Sequence, residues 1–295
     1  MIALEAHGWR ARLAPQFGAS LTTLDWRGPA GAWHPVLAPL ADPAAGLTAG
    51  CFVMAPFANR IADGRFSFMG RAYHIPVNRP AEGMAIHGRA RERAWQVVAA
   101  GEDHALLSLH LDEPDFPWCF DLTQHTTLTP AGVRVALTIT NRGPKPMPFG
   151  LGLHPWFPKA ADTTLHFTAA TLHRRDARGL PLPQTEAHPE FAAPARPLAQ
   201  LPWLDGCAGD WSPREACITG GGIALTLRAS GALKHLQVYV PDDRPVFCAE
   251  PVSHLPDAIN RPELGADAAM TPLALGESLS GAMILSASPM KEPTP

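Results

Sequence analysis

The sequence is poor in charge, carries no long apolar run and shows no paired cysteines. Charged residues make up 17% of its 295 positions and the formal net charge is −3, with hydrophobic residues at 46%. That balance excludes wholesale disorder, because enough apolar side chain is present to bury a large interior. The absence of a net positive charge removes the cationic surface that would neutralise a run of phosphates, so nucleic acid is not an expected partner. No stretch of 18 apolar residues occurs, and the opening MIALEAHGWRARLAP carries charges where a signal peptide needs an apolar core. No membrane association and a cytoplasmic location are therefore expected. Cys51, Cys119, Cys207, Cys217 and Cys248 are odd in number and contain no C-x-x-C pair. This argues against a disulfide framework or a zinc knuckle and for reduced thiols.

Several fingerprints are also missing. There is no Walker-type phosphate loop, no dinucleotide glycine pattern opening a helix, no H-E-x-x-H and no G-x-S-x-G. Their absence sets aside nucleotide-dependent, zincin and serine-hydrolase chemistry and leaves reactions that side chains perform unaided, with neither metal nor cofactor.

What the chain has in abundance is punctuation. Its 32 prolines and 25 glycines are dispersed singly, which implies many short elements joined by turns. Strand-length runs recur throughout, among them SLTTLDW, ALLSLHL, VRVALTITN, HLQVYVP and PVFCAE. In the third of these Val133, Val135, Leu137 and Ile139 alternate with Arg134, Ala136, Thr138 and Thr140, the period of a half-buried strand. Gly64 and Gly70 bracket a run that reads as one arm of a hairpin. The best helix candidate, residues 81–95, is short and interrupted by Gly83 and Gly88. The expectation is an all-β fold, a large antiparallel β-sandwich with little helix, formed by residues 1–295 as one domain with an open groove. A Pro- and Ala-rich stretch, residues 176–202, reads as an irregular surface excursion bordering that groove.

Four segments combine ionisable residues with rigid neighbours: FANRI, MAIHGRA, GLGLHPWF and AEPVSHLPDAINRP. Asn59 and Arg60 sit between apolar residues, so Arg60 must find a partner, either an internal carboxylate or a ligand. His87 precedes Gly88, and His154 precedes Pro155 just after Gly150 and Gly152. A lone histidine is most often structural, but glycine permits close approach of a ligand and proline fixes the chain beside the imidazole. Glu250 ends the apolar run of residues 245–249. It is either a salt-bridged strand terminus or a partly desolvated carboxylate of raised proton affinity, kept ionised by a neighbouring arginine and fit to act as a base.

Taken in order, Asn59-Arg60-Ile61, His87-Gly88, Gly152-Leu153-His154-Pro155-Trp156-Phe157, Glu250-Pro251 and Pro256-Asp257-Ala258-Ile259-Asn260 resemble the motifs of the galactose mutarotase, or aldose 1-epimerase, family along the whole chain. The resemblance implies the galactose mutarotase-like supersandwich and a cofactor-independent isomerase that interconverts the α and β anomers of a free aldose. It implies Glu250 as the general base on the anomeric hydroxyl and His154 as the acid toward the ring oxygen. His87 and Arg60 would hold developing charge and ring hydroxyls, Asn59 would support Arg60, and Gln237 would contact a hydroxyl. For the family's sugar-binding aspartate, Asp205 in WLDGCAGDW is preferred to Asp210. Trp156 stands where tyrosine is commoner in the family. Trp156 and Phe157 could each stack on the apolar face of a pyranose or belong to the core.

The implied partner is a small-molecule monosaccharide, and no sequence feature sets an oligomeric state. Three other readings stay open. A hexose 6-phosphate would need additional cations, for which Arg89, Arg91 and Arg93 are candidates if they are not simply a solvated stretch. A sugar lactone could be hydrolysed by water activated at Glu250. A non-catalytic carbohydrate-binding module would have no use for a paired acid and base.

Overall fold

The computed structural model describes residues 1–290, and in them the regular structure is strand apart from seven three-residue 3-10 turns. Gln96–Ala100, His104–Asp112, Cys119–Thr129, Gly132–Asn141, Ser278–Pro289 and Ile223–Gly231 form one antiparallel layer in that order. Ile223–Gly231 then pairs with the second half of the long strand Leu204–Gly220. The first half of that strand pairs instead with His235–Val240, beginning a second layer. This layer continues through Val246–Val252, Gly152–Pro158 and Cys51–Met54. A single pairing of Leu21 with Cys51 links it to Ser20–Arg27, Trp9–Ala14 and Ile2–Ala6.

Two long strands, Leu204–Gly220 and Thr164–Arg175, run together through both layers. Their register breaks where Phe167 opposes Ala216 while Ala169 opposes Trp211, so residues 212–215 bulge from the ladder. Such an insertion bends and twists a strand, which lets one pair serve both sheets of a sandwich.

The alternation read in the sequence governs packing. Val133, Val135, Leu137 and Ile139 are buried in one hydrophobic cluster with Leu13, Trp118, Leu122 and Leu285. Each fully buried side chain of this kind contributes about 1.5–3 kcal/mol of transfer free energy. Among the buried polar side chains is Gln124, whose Nε2 donates to the Ala19 carbonyl at 3.1 Å across the interior. The Gly64 to Gly70 run is the first arm of the hairpin Arg65–Phe68 with Arg71–His74. Residues 81–95 hold a short strand, Met84–Ile86, and one 3-10 turn, Ala90–Glu92, rather than a helix. The excursion 176–202 is less irregular than its composition implies: it contains the strand Pro181–Glu186 and two turns pinned by fully buried Phe191 and Leu198. All five cysteines are free thiols.

Register also decides which face of the second layer is core and which is open. His154 pairs with Phe52, Trp156 with Cys248, Gln237 with Glu250 and Cys207 with Gln237. With a side-chain period of two, His154, Trp156, Cys248, Glu250, Gln237, Tyr239 and Asp205 share one face. The intervening Leu153, Phe157, Phe247, Ala249, Leu236 and Val238 point into the central core. Two adjacent aromatics thus divide: Phe157 packs on Phe247 with ring centroids 5.4 Å apart, whereas Trp156 looks out of the sandwich.

Candidate active site

On that outward face lies a cleft of about 380 Å³ lined by Asn59, Arg60, Glu82, His87, His154, Trp156, Arg175, Trp203, Asp205, Tyr239 and Glu250. Of the eight residues expected from sequence, seven line it. The eighth, Gln237, is buried beside Glu250 in the ladder and donates to Asp205 Oδ1 at 2.5 Å.

Its floor is the pair His154 and Glu250, with Nε2 and Oε1 3.3 Å apart and both side chains buried. The histidine ring is clamped between Phe52 and Trp156, at centroid distances of 4.4 and 5.2 Å in stacked orientation, and meets His87 edge-on at 5.2 Å. Burial pushes the Glu250 carboxyl well above the usual carboxylate range, the nearby charge of Asp205 adds to this, and Arg60 opposes it. Burial, reinforced by the Arg91 cation, lowers His154 to about 3. Ordinary glutamate and histidine values predict a charged base beside an easily protonated acid. The structure reverses their order, because desolvation outweighs the arginine expected to keep Glu250 ionised. As pH falls, the first proton the pair takes up therefore goes to Glu250 rather than to His154.

His87 adopts a left-handed backbone conformation, φ 65°, as does Asn59 at φ 54°. The two residues close the small ladder of Arg60–Ala62 with Met84–Ile86. The His87 N–H donates to the Asn59 carbonyl at 2.8 Å, and the Asn59 N–H donates to His87 Nδ1 at 3.1 Å. Accepting at Nδ1 leaves the neutral ring's proton on Nε2. Burial and the cations Arg91, Arg60 and Arg79 keep the ring neutral. Gly88, at φ 65°, lies so close to Ala55 that a Cβ would run into its carbonyl.

Arg60 donates to Asn59 Oδ1 at 3.3 Å and to Glu82 Oε2 at 3.0 Å. Asp205 is held by Arg175 at 3.0 Å as well as by Gln237, while Asp210 is exposed away from the cleft. Arg175 also stacks on Trp203, 4.3 Å from the ring centroid. Both flank the excursion, whose start at Gly179 packs against the Arg60 guanidinium, so this segment does border the site.

Two residues of the last motif prove to be supports. Asp257 accepts from the Ala62 N–H at 3.0 Å, Asn260 Nδ2 at 2.8 Å and Arg261 Nε at 3.2 Å, and its own N–H donates to the Arg60 carbonyl. His254, packed where a Gly150 side chain would sit, accepts from the Ala58 N–H at 3.0 Å and donates to the Leu255 carbonyl at 2.7 Å. Sequence reasoning missed Arg175, Trp203, Glu82 and Tyr239. Tyr239 follows Gln237 by two in HLQVYV, so the strand period placed it on the same face. Arg175 and Glu82 carry no local sign of their position.

The arginines of the RARER run do not line the cleft. Arg89 pairs with Glu113 and Asp115, and Arg93 with Glu113. Arg91 lies over the Phe52 ring at 5.1 Å and has no carboxylate partner within salt-bridge distance among the described residues. All three are partly buried rather than a solvated stretch.

The chain is similar to known proteins over nearly its full length. A family model described as Aldose 1-epimerase matches residues 2–286. The uncharacterized protein YphB of Escherichia coli K12 is 29% identical over 268 residues, covering 85% of this chain and 88% of that protein. A crystal structure from Escherichia coli K12, named as a candidate aldose 1-epimerase, superposes with a TM-score of 0.85 at 26% identity over 98% of this chain and 99% of that one. A galactose mutarotase-like protein from Clostridium acetobutylicum shares the fold, with a TM-score of 0.84 at 20% identity over 98% and 95% of the two chains. No helix of the described residues is long and apolar enough to cross a membrane. With its family match running from residue 2 to residue 286 and its sandwich shared with these structures, the chain belongs to the aldose 1-epimerase family.

Proposed function

We propose that the protein is an aldose 1-epimerase acting on a free monosaccharide, with Glu250 and His154 as the proton-transferring pair. The observation that carries this reading is their 3.3 Å contact at the floor of the cleft. Opening a pyranose removes the proton from the hydroxyl on C1 and delivers one to the ring oxygen, and both oxygens are bonded to that same carbon. Acid and base in contact suit two oxygens so close together.

One proton shared by the pair is the number the reaction needs. In the empty cleft burial favours it on Glu250. Transfer to His154 gives a carboxylate and an imidazolium, the reactive arrangement, toward which Arg60 pulls. The carboxylate takes the C1 hydroxyl proton as the imidazolium protonates the ring oxygen, so the pair again holds one proton. Rotation about C1–C2 and reversal of both transfers close the ring to the other anomer. Each positioned transfer contributes roughly 10² to 10⁴ in rate. His87 donates from Nε2 and Arg60 from its guanidinium to sugar oxygens, Asp205 accepts from hydroxyls, and Trp156 with its neighbours offers faces for the ring.

The pairing of Arg89 and Arg93 with carboxylates favours an unphosphorylated sugar over a hexose 6-phosphate. The test is anomer exchange by NMR over a panel of free pentoses, hexoses and hexose 6-phosphates, for wild type and Glu250→Gln. Exchange of a free aldose lost in Glu250→Gln supports the reading. Preference for the phosphates, or a variant as fast as wild type, removes it.

A further inference from the structure

Beside the proton-transferring pair, the same face of the sheet carries a thiol for which ring opening has no use. Cys248 precedes Glu250 by two residues on Val246–Val252 and lies in register with Trp156, so its side chain shares the face of His154 and Glu250. One donor atom from each of His154, Cys248 and Glu250 lies within 4.8 Å of the other two, and all three residues are buried.

The spacing is close to that of a coordination sphere. Two ligand atoms about 2.0–2.1 Å from an ion at the tetrahedral angle are about 3.3 Å apart, which is the separation of His154 Nε2 and Glu250 Oε1. An imidazole nitrogen and a thiolate on the same ion would be about 3.5 Å apart, so the sulfur needs to close by little more than 1 Å. A second observation points to a cation. Glu250 is 2% exposed, yet its Oε2 has no protein hydrogen-bond partner, and neither has His154 Nδ1. Buried oxygens normally find partners. Asp205, by contrast, is committed to Arg175 and Gln237.

We propose that His154, Cys248 and Glu250 form a binding site for a thiophilic divalent cation, best matched by Zn2+, that inhibits the enzyme. One nitrogen, one sulfur and one oxygen donor, with the fourth direction facing the cleft, make up the ligand set of an open zinc site, and the nitrogen and sulfur disfavour Mg2+ and Ca2+. Binding replaces the thiol proton of Cys248 and the shared proton of the pair with the cation, and two protons leave to solvent. A carboxylate and an imidazole held by the ion can neither accept nor deliver a proton, so turnover stops while the ion is bound. The inhibitory part of the proposal rests on the aldose 1-epimerase reading; the site itself does not.

Two measurements separate these. Titrating the apo protein with Cd2+ and following the thiolate-to-metal charge-transfer absorption reports the site without any sugar. Wild type is expected to give a saturable band larger than that of Cys248→Ser, because the exposed cluster of His110, Asp112 and Cys119 contributes equally in both proteins. No band in wild type, or an equal band in the variant, overturns the site. Cys248→Ala replaces the serine variant if a buried hydroxyl is not tolerated. In the anomer-exchange assay, Zn2+ is expected to inhibit wild type reversibly with EDTA. Cys248→Ser, with unchanged metal-free rate, should need about tenfold more Zn2+ or higher. Equal sensitivity of the two proteins overturns the inhibitory role. If no sugar is anomerised, the functional reading fails while the Cd2+ titration still decides the site.

Discussion

Glu250 and His154 have proton affinities displaced in opposite directions by the same cause, removal from water, and this sets what single substitutions should do. Glu250→Gln keeps the shape and burial but cannot take up or release the shared proton. Activity is expected to fall by about 10² to 10⁴ with little change in stability, measured as kcat for anomer exchange beside a urea unfolding curve. Asp205 acts on the pair at a distance: its negative charge raises the proton affinity of Glu250. Asp205→Asn removes that charge, so Glu250 should give up the pair's proton at lower pH and the alkaline limb of the kcat/KM profile should move toward acid. Loss of a hydroxyl contact alone would lower the whole profile without moving its limb, so an unmoved limb would refute the electrostatic role.

At the scale of elements, the cleft depends on short segments that are themselves held from behind. The strand Arg60–Ala62 is tied to the 3-10 turn Ala258–Asn260 through Asp257, a carboxylate 3% exposed that accepts from three donors. Asp257→Ala leaves those donors unsatisfied, at a cost of about 1–3 kcal/mol. It should also release Arg60, raising KM more than it lowers kcat, although Asp257 lines no part of the cleft. Unchanged KM in a folded variant would show that Arg60 needs no such support. The strands themselves were legible from period two, as in Gly132–Asn141, and the cleft's main residues from motifs whose order matched a family. The roles of Asp257 and His254 were not. Both act through hydrogen bonds to backbone nearly 200 positions away, and no local pattern encodes a partner at that separation. Arg175 escaped for the same reason, since only the pairing of Thr164–Arg175 with Leu204–Gly220 brings it to Asp205. The inverted proton affinities were also hidden, because desolvation is set by how the layers close over Glu250.

Across the whole molecule, buried titratable groups couple folding to pH in two opposing ways. Burial lowers both His235 and His254 to about 4. Between pH 6.5 and about 4 the unfolded chain binds protons at these sites that the folded chain refuses. Their contribution is fully favourable above pH 6.5 and is lost as pH falls. Glu250, Asp205 and Asp257 are raised by burial. There the folded state keeps protons that the unfolded chain releases, so stability from them declines as pH rises through their folded values. A variant isolates one of these contributions. His254→Gln should be less stable than wild type at pH 7, by about 1–3 kcal/mol, because the flexible amide does not hold an acceptor for the Ala58 N–H and a donor for the Leu255 carbonyl where the rigid ring holds both. The gap should narrow by about 2 kcal/mol at pH 5, where the wild-type imidazole alone is penalised by unfolded-state protonation. Urea unfolding free energies of the two proteins at both pH values measure this directly, and a gap independent of pH would mean that His254 is protonated as readily in the folded sandwich as in the open chain.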